Sequence, residues 1–279
     1  MKLVISDLGE KHPGESIFIV GLSDLHIGHP NHNPVVAQRE IDWVKARPNR
    51  YAVMVGDMCE TALRDSYGEV YDQPLSPQKQ AEEVVRLFTP IKDRILGCVS
   101  GNHEQRVTQR TSFDPSMIYA SALGVPYDPG SMVLAVKWGG SRVGGTRGGR
   151  KLHNDGRRYY SIYFTHGWGA ARTLGPRLSQ PARLRDVVLN ADCYITAHLH
   201  QPGEFPLDHF FIDLPHRQIV RQRQRFITLG SALDHAEYAE IKGLGPTTME
   251  FPKIELISLG SNKKHQKRVL VHSDLVDAA

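Results

Sequence analysis

Short apolar runs rich in β-branched and aromatic side chains recur along this chain and read as buried strands. Five of them run straight into an acid, an amide or an imidazole. Ile17 to Leu22 leads into Ser23-Asp24-Leu25-His26, and Tyr51 to Val55 into Gly56-Asp57. Ile95 to Ser100 leads into Gly101-Asn102-His103-Glu104, Tyr160 to Thr165 into His166-Gly167, and Cys193 to Ala197 into His198-Leu199-His200. Strand alternation puts Asp24 and His26 on one face, with Leu25 on the other. Between these runs lie helical patterns. Val35 to Ala46 turns Val36, Ile41 and Val44 inward. Ser76-Pro77 caps a helix carrying Ala81, Val84, Val85 and Phe88, and Asp114-Pro115 opens another that Gly124 closes. Ser179 to Asn190 is expected as one helix packed by Leu184, Val187 and Val188. Leu3-Val4-Ile5 reads as a short edge strand and Ser131 to Lys137 as a longer one. Strands return after His200, where Arg221, Arg223 and Arg225 share one face, and close the chain at Lys253 to Leu259 and Arg268 to His272. Strands alternating with helices define an α/β class, and in such sheets ligands bind at the carboxyl ends of the strands. The five polar groups are therefore expected along one rim of a sheet.

Composition narrows the picture. The 279 residues are 40% hydrophobic and 23% charged, ordinary for a globular chain. Because the five groups span residues 24 to 200, residues 1–279 are expected to form a single domain. The net charge of +4 imposes no strong basic field. Cys59, Cys98 and Cys193 are too few and too scattered for a disulfide framework or a thiolate zinc site. No window approaches the ~20 apolar residues of a membrane span, and the first residues lack the apolar core of a signal peptide. A cytoplasmic protein without a membrane partner is expected. One segment departs from the rest: residues 139–158 are rich in glycine and arginine, including Arg147 and Arg150, and read as a surface loop or hairpin tip.

Carboxylate, amide and imidazole groups without thiolate suit manganese, iron, zinc or related ions. Two such ions need a shared ligand, and Asp57, with partners on both sides of it in the chain, is the natural bridge. A two-ion site lowers the pKa of a bridging water and screens phosphate charge, which suits in-line attack on a phosphorus ester. Asp-X-His, Gly-Asp-X-X-Glu, Gly-Asn-His-Glu, a lone His and a final His-X-His, in this order, resemble the calcineurin-like metallophosphoesterase superfamily, with spacing similar to its phage and prokaryotic members.

That resemblance implies a four-layer α/β/β/α sandwich of two mixed sheets and a hydrolase that attacks phosphate esters with a metal-bridging hydroxide. It assigns one ion to Asp24, His26, Asp57 and His200, and the other to Asp57, Asn102, His166 and His198. The ions would be manganese first, with iron, zinc, nickel or cobalt as alternatives. It makes His103 a group that binds no metal but protonates the leaving oxygen or holds a phosphate oxygen. Glu60 stands where several relatives carry an aspartate that orients this histidine, and Ala197 where they carry a glycine. Glu104 reads as a surface acid. Arg172, Arg147 and Arg150 are candidate phosphate contacts. The basic segment suits DNA or RNA as substrate, with the Arg221, Arg223 and Arg225 row extending the surface; equally, these arginines keep a loop soluble. A phosphodiesterase or nuclease is the leading expectation, a phosphomonoesterase the second, and a non-catalytic binding module the third.

Overall fold

The structure, a computed structural model, describes residues 1–9, 11–12, 14–64, 66, 70–138, 146–147, 150–151, 158–169, 174–215, 217–234, 248–257 and 267–273. In chain order the first half comprises β1 (Lys2–Asp7), β2 (Ile17–Leu22), α1 (Pro34–Ala46), β3 (Arg50–Val55), α2 (Pro77–Phe88), β4 (Ile95–Val99), α3 (Asn102–Thr111), α4 (Pro115–Leu123), β5 (Tyr127–Asp128) and β6 (Ser131–Trp138). The second half comprises β7 (Thr146–Arg147), β8 (Arg150–Lys151), β9 (Arg158–Thr165), α5 (Leu174–Ala182), α6 (Leu184–Val187), β10 (Cys193–Thr196), β11 (Gly203–Asp213), β12 (Gln218–Thr228), β13 (Lys253–Leu256) and β14 (Val269–His272).

The strands form two mixed six-stranded sheets. One runs β14-β13-β2-β3-β4-β5, the other β1-β6-β9-β10-β12-β11. The rim groups therefore come from two sheets, not one: β2, β3 and β4 are parallel neighbours in the first, β9 and β10 in the second. The sheets pack face to face. Met132 and Phe164 of the second lie against Gly97 of the first, and Ile195 and Leu229 against Gly21. Burial in β6 alternates strictly, with Met132, Leu134, Val136 and Trp138 inward, so one face of this strand lines the shared core. Both sheets contribute to one buried cluster that includes Ile19, Val53, Cys98, Leu134, Phe164, Ile195 and Ile227. The helices pack outside the sheets, which gives the α/β/β/α layering. None is long and apolar enough to cross a membrane among the described residues.

The caps explain the helix starts. Asn33 accepts the N–H groups of Val35 and Val36, Ser76 that of Lys79, and Asp114 that of Met117, each just before a proline. The helix expected over Ser179 to Asn190 is instead two short ones. Pro181 has no N–H to donate, α5 ends one residue later, and the chain turns at Arg183 before α6. Leu184 and Val188 still pack on Tyr163, Tyr194 and Phe226, but Val187 faces solvent. In the basic segment, Arg147 pairs with Arg150 and Thr146 with Lys151, the hairpin-tip alternative; the rest of it lies outside the described residues.

Phe164 is fully buried between the sheets. Phe164→Ala is expected to cost about 3–5 kcal/mol, measured as a lowered urea midpoint at unchanged m-value.

Candidate metal centre

The site is built at five corners where strands run out. Asp24 and His26 follow β2, Asp57 follows β3, Asn102 and His103 follow β4, His166 follows β9, and His198 and His200 follow β10. Asp24 and His26 do converge, with Oδ1 and Nε2 3.8 Å apart. Strand alternation is not the cause, because β2 ends at Leu22 and both residues have positive φ, 49° and 48°. Asp57 (51°), His198 (69°) and His200 (52°) share that left-handed conformation. For residues with a Cβ it costs about 1–3 kcal/mol each, and such strain collects at functional sites. The β2–β3 pairing holds these corners by continuing past the strands: Asp24 N–H donates to the Gly56 carbonyl (3.1 Å) and His26 N–H to that of Asp57 (3.0 Å). The loops are tight enough to require glycine. Gly56 has φ +82°, and a Cβ there would lie 2.6 Å from the Gly101 Cα; a Cβ on Gly101 would overlap Asp57 Oδ1. The turn at Ala197 survives its methyl group, with the alanine N–H on the His166 carbonyl at 2.9 Å.

Three groups of donors form among the described residues: His26, Glu60 and His103 make one, and the other two hold the expected ligands. In the first of these two, His200 Nε2 lies 3.0 Å from Asp24 Oδ1 and 3.4 Å from His26 Nε2. In the second, His166 Nε2 lies 3.1 Å from Asp57 Oδ2 and 2.9 Å from Asn102 Oδ1, with His198 alongside. All seven expected ligands are thus brought together. Asp57 falls in the second group, and the first closes on Asp24, His26 and His200. Asp24 joins the two, because its Oδ2 accepts the His198 N–H (3.2 Å).

The donors fit a cation. Donors each about 2.1 Å from one ion lie about 3.0 Å apart across a right angle and about 3.4 Å across a tetrahedral one. Asp24 Oδ1 is buried and makes no hydrogen bond, although the His200 nitrogen is only 3.0 Å away. The short distance without hydrogen-bond geometry is what two ligands of one ion present. The far side of each ring is also fixed. His26 Nδ1 contacts Glu60 Oε2 (2.9 Å), and His166 Nδ1 donates to the Val55 carbonyl (2.8 Å), so each Nε2 faces the site. His198 is turned the other way, with Nε2 on the Gly169 carbonyl (2.7 Å).

Burial opposes charge on Asp24, Asp57, His26 and His166, and their neighbours override it. The histidines hold the Asp24 and Asp57 carboxyls well below the usual range: for Asp24 chiefly His200 and His166, for Asp57 chiefly His166 and His103. Asp57 and Asp24 in turn hold His166 up at about 9, and Asp24 and Glu60 raise His26 well above the ordinary imidazole value. His198 is pushed down by burial and by the His166 charge.

Three neighbours behave differently from expectation. Glu60 does not serve His103 alone. Its Oε2 is closer to His26 Nδ1 (2.9 Å) than to His103 Nδ1 (3.3 Å), and its backbone carbonyl meets His103 Nδ1 at 2.9 Å. Glu104 is no surface acid. It is fully buried; Oε1 accepts the Cys59 N–H (2.9 Å), and Oε2 those of Asp57 (3.1 Å) and Gly101 (3.2 Å). Its place three residues after Gly101, at a helix start, is the one sequence signal for this. Arg106, one turn beyond His103 on α3, was not singled out by the sequence. Its guanidinium lies against His103 Nδ1 and donates to the Glu60 carbonyl (2.7 Å) and to Ser66 Oγ (3.1 Å). His32, a loop histidine near the site, spends its Nδ1 on the Leu25 carbonyl (2.6 Å).

The arginine candidates fare unevenly. Arg172 and the side chains of Arg147 and Arg150 lie outside the described residues. The Arg221, Arg223 and Arg225 row does share one face of β12, but β11 supplies its counter-charges: Asp208 takes both Arg221 and Arg223, and Glu204 takes Arg225 (2.6 Å). As an extension of a polyanion surface the row is therefore largely neutralised.

No protein-family model matches the chain, and no curated relative matches it. Solved structures do. The chain is similar to a metallophosphoesterase from Sphaerobacter thermophilus, at 15% identity over 92% of this chain and 88% of that one, with a TM-score of 0.39. It is similar to GAP50, the anchor in the inner membrane complex of Plasmodium, at 10% identity over 92% and 88%, with a TM-score of 0.41. It is also similar to a protein of unknown function from Aquifex aeolicus, at 16% identity over 66% and 80%, with a TM-score of 0.32. The likeness is one of outline, and the chemistry of the centre rests on its own residues.

To ligate an ion, His166 must give up its proton, which it holds up to about pH 9. Manganese affinity, measured by calorimetry, is therefore expected to rise from pH 7 to 9 and to level off above that, with proton uptake by the buffer on binding. A pH-independent affinity would contradict this geometry.

Proposed function

We propose that this chain is a divalent-metal-dependent phosphoesterase that cleaves phosphodiesters, with nucleic acid as its substrate class, and that residues 1–279 act as one catalytic unit. The observation that carries the reading is the convergence of Asp24, His26, Asp57, Asn102, His166, His198 and His200 on two adjoining groups, five of them through backbone that side chains ordinarily avoid. One ion would be held by Asp24, His26 and His200, the other by Asn102, His166 and His198, with Asp57 shared. The donor set of carboxylate, amide and imidazole groups fits manganese, the ion taken first here, as well as iron, zinc, nickel or cobalt. Ions bound there would supply Lewis acidity, screening phosphate charge and lowering the pKa of water toward neutrality.

The chain's own groups then have definite tasks. His103 is partly exposed, and its Nε2 points toward the centre, 3.9 Å from Asp57 Oδ2. It would protonate the leaving oxygen. The Glu60 carbonyl and carboxylate both face Nδ1 and, as acceptors, would hold a hydrogen there, leaving the Nε2 hydrogen of the protonated ring as the one to give; Arg106 would steady the Glu60 carbonyl. Glu60 would hold His26 and His103 in fixed relation. The basic hairpin around Arg147 and Arg150, together with Arg172, would track the phosphates of a polymer. The self-neutralised row on β12 favours the second reading, a phosphomonoesterase with a small substrate.

With manganese, turnover of a bis-aryl phosphate diester and of single-stranded DNA or RNA is expected, with polymer binding falling steeply as salt rises. His103→Ala is expected to lose about 10²- to 10⁴-fold in turnover while binding metal normally. Full activity in that variant would remove His103 from the mechanism. Cleavage of an aryl monoester alone, unchanged by deleting residues 139–151, would transfer the case to the second reading.

A further inference from the structure

The hairpin of β11 and β12 has two unlike halves. Near its base, Phe205, Leu207 and Phe226 are packed with Leu184 and Val188. Its outer half is bare: Phe210, Phe211, Ile212, Leu214 and Ile219 are between 57% and 79% exposed. Strand alternation puts Phe210 and Ile212 on one face, with Ile219 opposite Ile212 and the Asp208–Arg221–Arg223 ion pairs next to Phe210, and puts Phe211 on the other, so both faces of the arm expose apolar side chains. β11 is also the last strand of its sheet, and its outward backbone groups meet no further strand among the described residues. A long apolar edge of this kind is a template for pairing, which proteins ordinarily blunt.

We propose that this arm is a dimerisation element, and that its occupant is a second copy of the same chain. The β11 strands of two copies pair antiparallel about a two-fold axis, joining the two six-stranded sheets and bringing the apolar tips of the two arms side by side. An antiparallel edge is self-complementary under that symmetry: whatever residue i meets, its mate meets in return. Pro206 cannot donate to a ladder and confines the new pairing to the outer half, where the apolar residues are.

Area and charge favour a second copy over other occupants. The exposed side chains offer roughly 600 Å² of apolar surface per chain, on the scale of aromatic burial, against about 800 Å² per partner in a standard interface. The arm offers little to a phosphate-rich surface. Glu204, Asp208 and Asp213 set against Arg217, Arg221, Arg223 and Arg225 leave it at +1, and Asp208 and Glu204 already bind three of those arginines. Anionic lipid and nucleic acid select stronger basic fields than this.

Sedimentation equilibrium of the full chain tests the proposal. The expected mass is twice the 31.3 kDa of one chain. The double variant Phe210→Ser/Ile219→Ser is expected to sediment at the single-chain mass, with an unchanged circular dichroism spectrum and unchanged metal binding, since these residues support no core. Leu214→Arg, at the turn, is expected to do the same and serves if the double variant folds poorly. A wild-type monomer at micromolar concentration overturns the proposal. So does a dimer that survives both sets of substitutions, and so does a monomer that floats with anionic phospholipid vesicles.

Discussion

The structure depends on backbone corners that hold side chains where strands alone would not. Asp24, His26, Asp57, His198 and His200 all occupy the left-handed region, a total strain of several kcal/mol at about 1–3 kcal/mol per residue. Hydrogen bonds made by the same loops keep them there. The Asp24 carbonyl receives the Ala232 N–H and the Ser231 hydroxyl, each at 3.0 Å, and the Ile27 carbonyl receives the Glu60 N–H at 3.0 Å. Beneath the corners lies a core in which both sheets are buried on their facing sides. The corners can be strained because the strands that deliver them cannot shift.

Two buried carboxylates one loop apart show how this frame divides labour. Asp57 faces His166 and His103, and their charge keeps its carboxyl ionised against the pull of burial. Glu104 faces backbone N–H groups instead, and burial together with the Asp57 charge pushes its pKa up. Environments that drive two acids apart assign them different tasks. Asp57 offers an oxygen to the centre, whereas Glu104 ties the Asp57 loop to the start of α3. Charge also ties the centre together: the raised His26 and His166 and the lowered Asp24 and Asp57 neutralise each other through the same atoms that would hold a cation. Protons and metal therefore compete for one set of atoms, which is the physical link between its acidity and its affinity.

The positions that converge at the centre were legible in the sequence because each follows an apolar run directly, so strand ends and donor groups could be found together. The helix starts were legible for a similar reason: Asn33, Ser76 and Asp114 each stand before a proline. What escaped was whatever depends on pairing over long distances. Nothing local reveals that β9 and β10 belong to a different sheet from β2, β3 and β4. Nothing local places Asp208 opposite Arg223, a cross-strand register that turned an apparent basic row into ion pairs. Helix α3 escaped for a different reason. Asn102 to Thr111 has Val107 as its single buried apolar side chain, so no stripe announces it. Glu104 and Arg106 were hidden with it, because their roles follow from which face of that helix meets the Asp57 and Glu60 loops.

Glu60 carries the argument one step further. An aspartate in its place would have one methylene less, and a carboxylate that short serves one neighbour. The glutamate reaches 2.9 Å from His26 on one side and 3.3 Å from His103 on the other, while Arg106 pins its backbone carbonyl from behind. A ring in the first donor group and the ring beside Asp57 are thereby oriented by a single carboxylate. The same carboxylate oxygen touches both rings, so the two are linked through one side chain. The longer side chain at this position does not loosen a two-residue pairing; it widens it into an assembly of four, His26, Glu60, His103 and Arg106.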